Sequence, residues 1–201
     1  MTTWAVLPVK GFDRGKSRLM PALPPDDRRA LSLALFRRVL RACEFCTAID
    51  HALVATDSPR VLSPSPRTSV LADPVPSVPF ARVLDRALAH AHAHGARRAV
   101  IVLGDLPWIE PRDIAELVAA FSRAQVVVAP DHWRRGVGAI GVTLPAPMPM
   151  QLGHRDSFHR TMRTALQHRA PVALVHNPRL SRDVDTTADL EQLAAKTAHT
   201  T

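Results

Sequence analysis

Short, unbroken apolar runs alternate along this chain with longer amphipathic stretches. Trp4 to Val9, Ala52 to Ala55, Ala99 to Leu103, Gln125 to Ala129 and Val172 to Val175 are apolar at nearly every position. Runs this short predict strands buried on both faces, as in a parallel sheet covered by helices. Ser69 to Ala72 adds a short strand, and Gly136 to Thr143 is glycine-rich, then strand-like. Leu31, Leu35, Val39 and Leu40 recur at helical spacing, with Arg28, Arg29, Arg37, Arg38 and Arg41 on the other face. They predict an amphipathic helix from Asp26 to Cys46, entered through Pro25 and two aspartates that suit a helix N-terminus. Further helices are expected over Phe80 to His94 (closed by Gly95), Pro111 to Ser122 and Asp156 to His168. A C-terminal helix is expected with Thr186 or Thr187 as its N-cap. Ser63 to Pro66 reads as a surface turn, while proline density makes Asp73 to Pro79 and Pro145 to Gly153 loops. Strand alternates with helix throughout, which predicts an α/β class protein: three layers with a mostly parallel sheet.

The bulk properties narrow the class further. A chain of 201 residues, 46% hydrophobic and 22% charged, fits a single domain spanning 1–201. No apolar run approaches the roughly 18 residues of a membrane span, and the first residues lack a signal-peptide layout. A cytoplasmic protein with no membrane partner is expected. The net charge of +8 comes mostly from scattered arginines, and two of the three lysines, Lys10 and Lys16, share one loop. Tyrosine is absent, which argues against base-stacking platforms and leaves no nucleic-acid partner to expect. Cys43 and Cys46 lack a second ligand pair and read as small buried hydrophobes. His90, His92 and His94 sit two apart on a helix, a poor metal triad, and are expected to face solvent.

The candidate chemistry gathers at strand ends. After the first strand comes Lys10-Gly11-Phe12-Asp13-Arg14-Gly15-Lys16-Ser17-Arg18-Leu19, a cationic glycine-containing loop where an open α/β sheet binds ligands. It is not a Walker A sequence, because Lys10 stands where the first glycine would be required. All eight glycines are expected in loops or at strand edges. Asp57, Asp105, Asp131 and the pair Asp183 and Asp185 follow strands or lie near element ends, so some should converge on that loop. Asp183 and Asp185, one residue apart, point the same way on extended backbone. Three carboxylates opposite a cationic loop suit magnesium, which takes oxygen ligands and bridges protein to phosphate. Singly, Asp105 could equally be a turn residue and the pair could serve the following helix terminus.

Taken in order, Leu7-Pro8-Val9-Lys10, Lys16-Ser17-Arg18-Leu19, Gly104-Asp105-Leu106-Pro107, Ala129-Pro130-Asp131, Ser157-Phe158 and Asp183-Val184-Asp185-Thr186 resemble the 2-phospho-L-lactate guanylyltransferase (CofC-like) family and its phosphoenolpyruvate-using relatives. The resemblance covers nearly the whole chain. It implies a Rossmann-like nucleotidyltransferase fold and a step of coenzyme F-420 synthesis. In that step GTP and a phosphorylated small acid (2-phospho-L-lactate, phosphoenolpyruvate or 3-phosphoglycerate) give a guanylylated diphosphate and pyrophosphate. It further implies nucleotide binding by Pro8, Lys10, Lys16, Ser17, Arg18 and Asp105, with Lys16, Arg18 and Asp105 catalytic. Mg2+ would be held by Asp105, Asp183 and Asp185, and the acid by Val137, Gly153 and Ser157. A homodimer is one option for the assembly. The sequence departs from the family at Pro79-Phe80-Ala81, where a Gly-Leu-Asn is usual, and at Gly136-Val137-Gly138, where a Gly-Thr-Asn is usual. The spacing from Gly153 to Ser157 is one residue longer. A non-catalytic nucleotide-binding descendant and a D-x-D glycosyltransferase are the rival readings.

Overall fold

The structure, a computed structural model, describes residues 1–12, 16–58, 65–72 and 79–198. Asp13 to Gly15 of the opening loop, the first two residues of the turn expected at Ser63 to Pro66 and most of the loop expected at Asp73 to Pro79 lie outside the described residues. The chain runs β1 (Thr3–Val9), α1 (Pro25–Phe45), β2 (His51–Thr56), β3 (Thr68–Ala72), α2 (Phe80–Ala93), β4 (Arg98–Val102), α3 (Pro111–Ala119), β5 (Val126–Pro130), β6 (Val137–Thr143), α4 (Ser157–Gln167), β7 (Val172–Leu174) and α5 (Thr187–Ala198). One seven-stranded sheet results, in the order β3-β2-β1-β4-β6-β5-β7.

The unbroken apolar runs have a direct cause. Along β1, Ala5 and Leu7 point into a cluster with Phe36 and Val39 of α1 and Ile114 and Leu117 of α3. Their neighbours Trp4 and Val6 point into the opposite cluster with Leu84 and Leu88 of α2 and Phe158 and Ala165 of α4. β2 and β4 divide the same way, with Val54, Val100 and Val102 on the first side and Leu53, Ala99 and Ile101 on the second. Period-two geometry with both faces covered demands apolar residues at every position. Each large side chain so buried contributes about 1.5–3 kcal/mol. Cys43 and Cys46 are buried free thiols in the first cluster. Burial, together with the neighbouring Cys46 and Glu44, pushes the Cys43 thiol far above its ordinary range, so it behaves as a hydrophobe.

One strand reverses the sheet. β6 is antiparallel to both β4 and β5. Pairing Val102 with Ala139 and Pro130 with Val137 brings the start of β6 to the edge where β4 and β5 end. The turn is closed by the Asp131 carboxylate, which accepts the backbone N–H groups of Arg135 and Gly136, each at 2.8 Å. Asp131 is thereby committed to its own loop.

Three expectations need correction. Gly141 lies inside β6 rather than at an edge, where a Cβ would stand 2.7 Å from Phe121 Cζ, so the strand gives up a side chain to let that ring pack. His90 and His92 are half-buried and only His94 is exposed, with the His90 and His94 rings stacked at 4.1 Å. Helix α3 stops at Ala119 and a 3-10 turn continues it through Ser122. At the C-terminal helix the cap is Thr186: its Oγ1 accepts the Asp189 N–H at 3.3 Å, and Asp189 Oδ2 accepts the Thr186 N–H at 2.7 Å. Among the described residues no helix is long and apolar enough to cross a membrane.

Candidate active site

The opening loop re-enters at Lys16, which adopts the left-handed conformation (φ 55°, ψ 38°) and introduces the 3-10 turn Ser17–Leu19. A non-glycine residue held there costs on the order of 1 kcal/mol and persists only where its surroundings hold it. Leu19, fully buried against Leu35 and Val184, anchors the turn. The other constraint is electrostatic. Lys16 Nζ donates to Asp105 Oδ2 at 2.7 Å and to Asp185 Oδ1 at 3.0 Å, with only 8% of its side chain exposed. Burial alone would lower the pKa of this ammonium, but the Asp105 and Asp185 carboxylates outweigh it and hold the pKa above its ordinary value. Arg18 reaches the second oxygen of Asp185 at 3.3 Å from a more exposed position.

The carboxylates arrive from two places. Asp105 follows β4 directly, whereas Asp183 and Asp185 ride on the irregular strap between β7 and α5. Val184 between them is fully buried with Leu19 and Leu35, so alternation sends both aspartates to the same side. One oxygen from each of Asp105, Asp183 and Asp185 lies within 4.8 Å of the others, and this is the one such group of three or more metal-ligating side chains among the described residues. Asp105 Oδ1 is buried without any hydrogen-bond partner. An orphaned carboxylate oxygen in an all-oxygen donor set fits a hard divalent cation. Burial first, and then the charges of Asp105 and Asp185, push the Asp183 carboxyl up to about 6, with Lys16 opposing them. Asp57 and Asp131, also at strand ends, stay outside this group; Asp57 accepts a hydrogen bond from Ser58 Oγ at 3.4 Å.

Two cavities meet at the cluster. A smaller one of about 250 Å³ is lined by Pro8, Lys10, Lys16, Gly104 and Asp105. A larger one of about 650 Å³ is lined by Arg18, Val137, Gly153, Ser157 and Asp183. Asp185 and Phe80 line both. The structure thus gathers all the expected residues except Ser17, which is exposed on the 3-10 turn and lines neither cavity. It also moves Arg18 from the Lys16 side to the larger cavity.

Val137 and Ser157 are 4% exposed, and Ser157 begins α4. Gly153, at φ +95°, leaves room for Phe80, whose Cβ and Cδ1 would both meet a Gly153 Cβ at 3.1 Å. Two of the departures from the family pattern therefore touch each other. Sequence reasoning missed Phe80 as a wall between the cavities, and missed Arg135, His154 and Arg155 in the larger one. Phe80 was visible only as a departure, and the arginines were hidden among so many others.

Comparison with known proteins bears on this geometry. A family model described as guanylyl transferase, CofC-like, matches residues 3–200. The chain belongs to this family. Among its CofC-like relatives, the phosphoenolpyruvate guanylyltransferase of Sphaerobacter thermophilus is 36% identical over 194 residues, covering 96% of this chain and 93% of that protein. The 2-phospho-L-lactate guanylyltransferase of Halorubrum lacusprofundi is 32% identical over 182 residues, covering 90% and 79%. In fold, the CofC-like chain superposes with TM-score 0.81 on a crystal structure from Desulfovibrio desulfuricans provisionally named a nucleotide-diphospho-sugar transferase. That match has 17% identity and covers 98% of this chain and 88% of that one. The two chains share one α/β fold with a mostly parallel sheet.

Proposed function

We propose that this protein is a cytoplasmic, magnesium-dependent guanylyltransferase that joins GTP to phosphoenolpyruvate or 2-phospho-L-lactate, releases pyrophosphate, and serves coenzyme F-420 synthesis. The observation that carries the reading is the meeting of two cavities at one cluster, in which Lys16 bridges Asp105 and Asp185 and Asp183 completes three carboxylates. On this reading the nucleotide takes the side lined by Pro8, Lys10 and Lys16, and the acid takes the side lined by Val137, Gly153 and Ser157. A substrate phosphate oxygen attacks the α-phosphorus of GTP as the bond to the pyrophosphate oxygen breaks, so no protein nucleophile is required. The barrier is mainly repulsion between anions and the alignment of reacting atoms. Asp105, Asp183 and Asp185 would hold Mg2+, which neutralises phosphate charge and orients the reacting oxygens. Lys16, and Arg18 beside Asp185, supply further positive charge for the phosphates.

The larger cavity favours an acid without a free hydroxyl. Leu106, Val137, Leu152 and Leu180 are the apolar part of its lining, beside the polar Arg135, His154, Ser157 and Ser181, and Val137 stands where the family usually carries a threonine. A hydroxyl packed against those apolar side chains would lose water without gaining a partner, a cost of about 1–3 kcal/mol. That supports phosphoenolpyruvate and 2-phospho-L-lactate over 3-phosphoglycerate, in line with the names of the two relatives. Arg135 and Arg155 at the rim suit the second anionic group of such an acid. The test is pyrophosphate release with each nucleoside triphosphate, Mg2+ and each of the three acids. GTP with phosphoenolpyruvate or 2-phospho-L-lactate is expected to give the signal; silence from every combination overturns the assignment.

A further inference from the structure

The strap between β7 and α5 carries two of the three clustered carboxylates, yet it contains no helix or strand from Val175 to Thr186. Something else must fix Asp183 and Asp185 against Asp105. The structure shows a buried carboxylate on α3 gripping the strap. Asp113 is fully shielded from solvent. Its Oδ1 accepts from Arg179 Nη2 at 2.6 Å and from Asn177 Nδ2 at 2.9 Å. Its Oδ2 accepts from Arg179 Nε at 2.8 Å and from the Glu110 backbone N–H at 2.8 Å. Asn177 passes the grip on: its Nδ2 also donates to Glu116 Oε2 at 2.8 Å, and its Oδ1 accepts the Arg179 backbone N–H at 2.9 Å. Beyond Arg179, the Leu180 carbonyl lies so close to β6 that a Cβ on Gly138 would stand 1.8 Å from its oxygen. The next carbonyl, of Ser181, accepts the His132 N–H at 3.0 Å.

The position of Asp113 in the chain gives these contacts a purpose. Asp105 lies in the connection from β4 to α3 and Asp113 in the first turn of α3, eight residues on, so the stretch of chain that presents one carboxylate of the cluster runs directly into the helix that holds the strap presenting the other two. We propose that Asp113 is a positioning residue that sets the separation of Asp105 from Asp183 and Asp185, and so governs the affinity of the cluster for a divalent cation. The inference rests on the magnesium reading above. A bidentate Arg–carboxylate pair with the anion fully buried transmits position well, because its geometry is planar and any slippage leaves a buried charge unpaired. Burial raises the Asp113 pKa, but Arg179, Asn177 and the Glu110 N–H more than offset it, so the anion persists.

The experiment titrates Mn2+ into the full-length protein without nucleotide, followed by electron paramagnetic resonance, for the wild type, Asp113→Asn, Arg179→Gln and Leu117→Ala. Loss of an outer-shell partner typically weakens metal binding by about 10- to 100-fold. Asp113 touches no ligand directly and acts through the strap, so Asp113→Asn is expected to weaken Mn2+ binding by about 3- to 10-fold, below that range. Arg179→Gln, at a side chain only 32% exposed, is expected to weaken it by about 3- to 10-fold and serves if Asp113→Asn does not fold. Leu117→Ala, a cavity variant on the same helix that touches the first core cluster, controls for lost stability and should keep the wild-type affinity. Wild-type Mn2+ affinity in folded Asp113 or Arg179 variants overturns the positioning role, as does an equal loss in Leu117→Ala. Absence of Mn2+ binding by the wild type overturns the metal reading together with it.

Discussion

Replacing Lys16 by methionine should move two affinities in opposite directions. The ammonium donates to Asp105 Oδ2 and Asp185 Oδ1, two of the carboxylates that could hold a cation. A metal entering there must displace it or share those oxygens against its charge. A charge-assisted hydrogen bond is worth about 1.5–3 kcal/mol. Asp105 is 25% and Asp185 36% exposed, so the two bonds together are discounted to about 1.5–3 kcal/mol in total. Lys16→Met is therefore expected to bind Mn2+ about 10- to 100-fold more tightly in the absence of nucleotide. Working at pH 8 keeps Asp183, whose carboxyl titrates at about 6 in the wild type and higher once Lys16 is gone, largely ionised. The same variant loses a cation for the triphosphate and should bind GTP about 10- to 150-fold more weakly. Isothermal titration with Mn2+ and with GTP, each alone, reads both quantities. Partial unfolding would weaken both, so the opposed signs are diagnostic. Mn2+ binding that is unchanged or weaker refutes the idea that Lys16 occupies the cation's place, and unchanged GTP affinity refutes its role toward phosphate.

The remaining expectations are independent of that one. Gly138→Ala puts a Cβ 1.8 Å from the Leu180 carbonyl oxygen, so the strap must move; a loss of about 1–3 kcal/mol in stability is expected, with weaker Mn2+ binding. A variant as stable as wild type would show that the strap yields freely. In the metal-free protein Asp183 titrates at about 6, against 3.8 for an unperturbed carboxyl, so between these values the native state holds more protons than the unfolded chain and stability falls as pH rises. The shift corresponds to about 3 kcal/mol, discounted to about 1–2 kcal/mol for partial exposure. Asp183→Asn should accordingly gain stability over wild type, by urea denaturation in chelator, more at pH 7.5 than at pH 4.5; a pH-independent difference contradicts the assignment. Val137→Thr, at a buried position on the larger cavity, should shift the kcat/KM ratio toward 3-phosphoglycerate by about 10-fold at a small cost in stability. An unchanged ratio removes Val137 from acid selection.

Local patterning along the chain prescribed the layers and marked most of the residues that the fold gathers at the two cavities. Apolar runs at every position required strands with both faces covered, and the arginine-striped α1 had one face to bury. The alternation of strand and helix fixed where strand ends, and therefore loops, would gather. Even the shared direction of Asp183 and Asp185 was legible, because period-two backbone with a buried Val184 between them allows little else. Local pattern carries information of this kind because it depends on neighbours in the chain. What it could not carry was contact between distant segments. The reversal of β6 depends on pairing with β4 and β5, and it places Gly138 under the strap. The packing of Phe80 on Gly153, the commitment of Asp131 to its own turn and the grip of Asp113 on Arg179 are likewise tertiary. Asp113 is the clearest case. In sequence it is an acidic residue in the first turn of a helix, with nothing to mark it. Only folding takes its carboxylate out of water and brings an arginine from 66 residues away to hold it there.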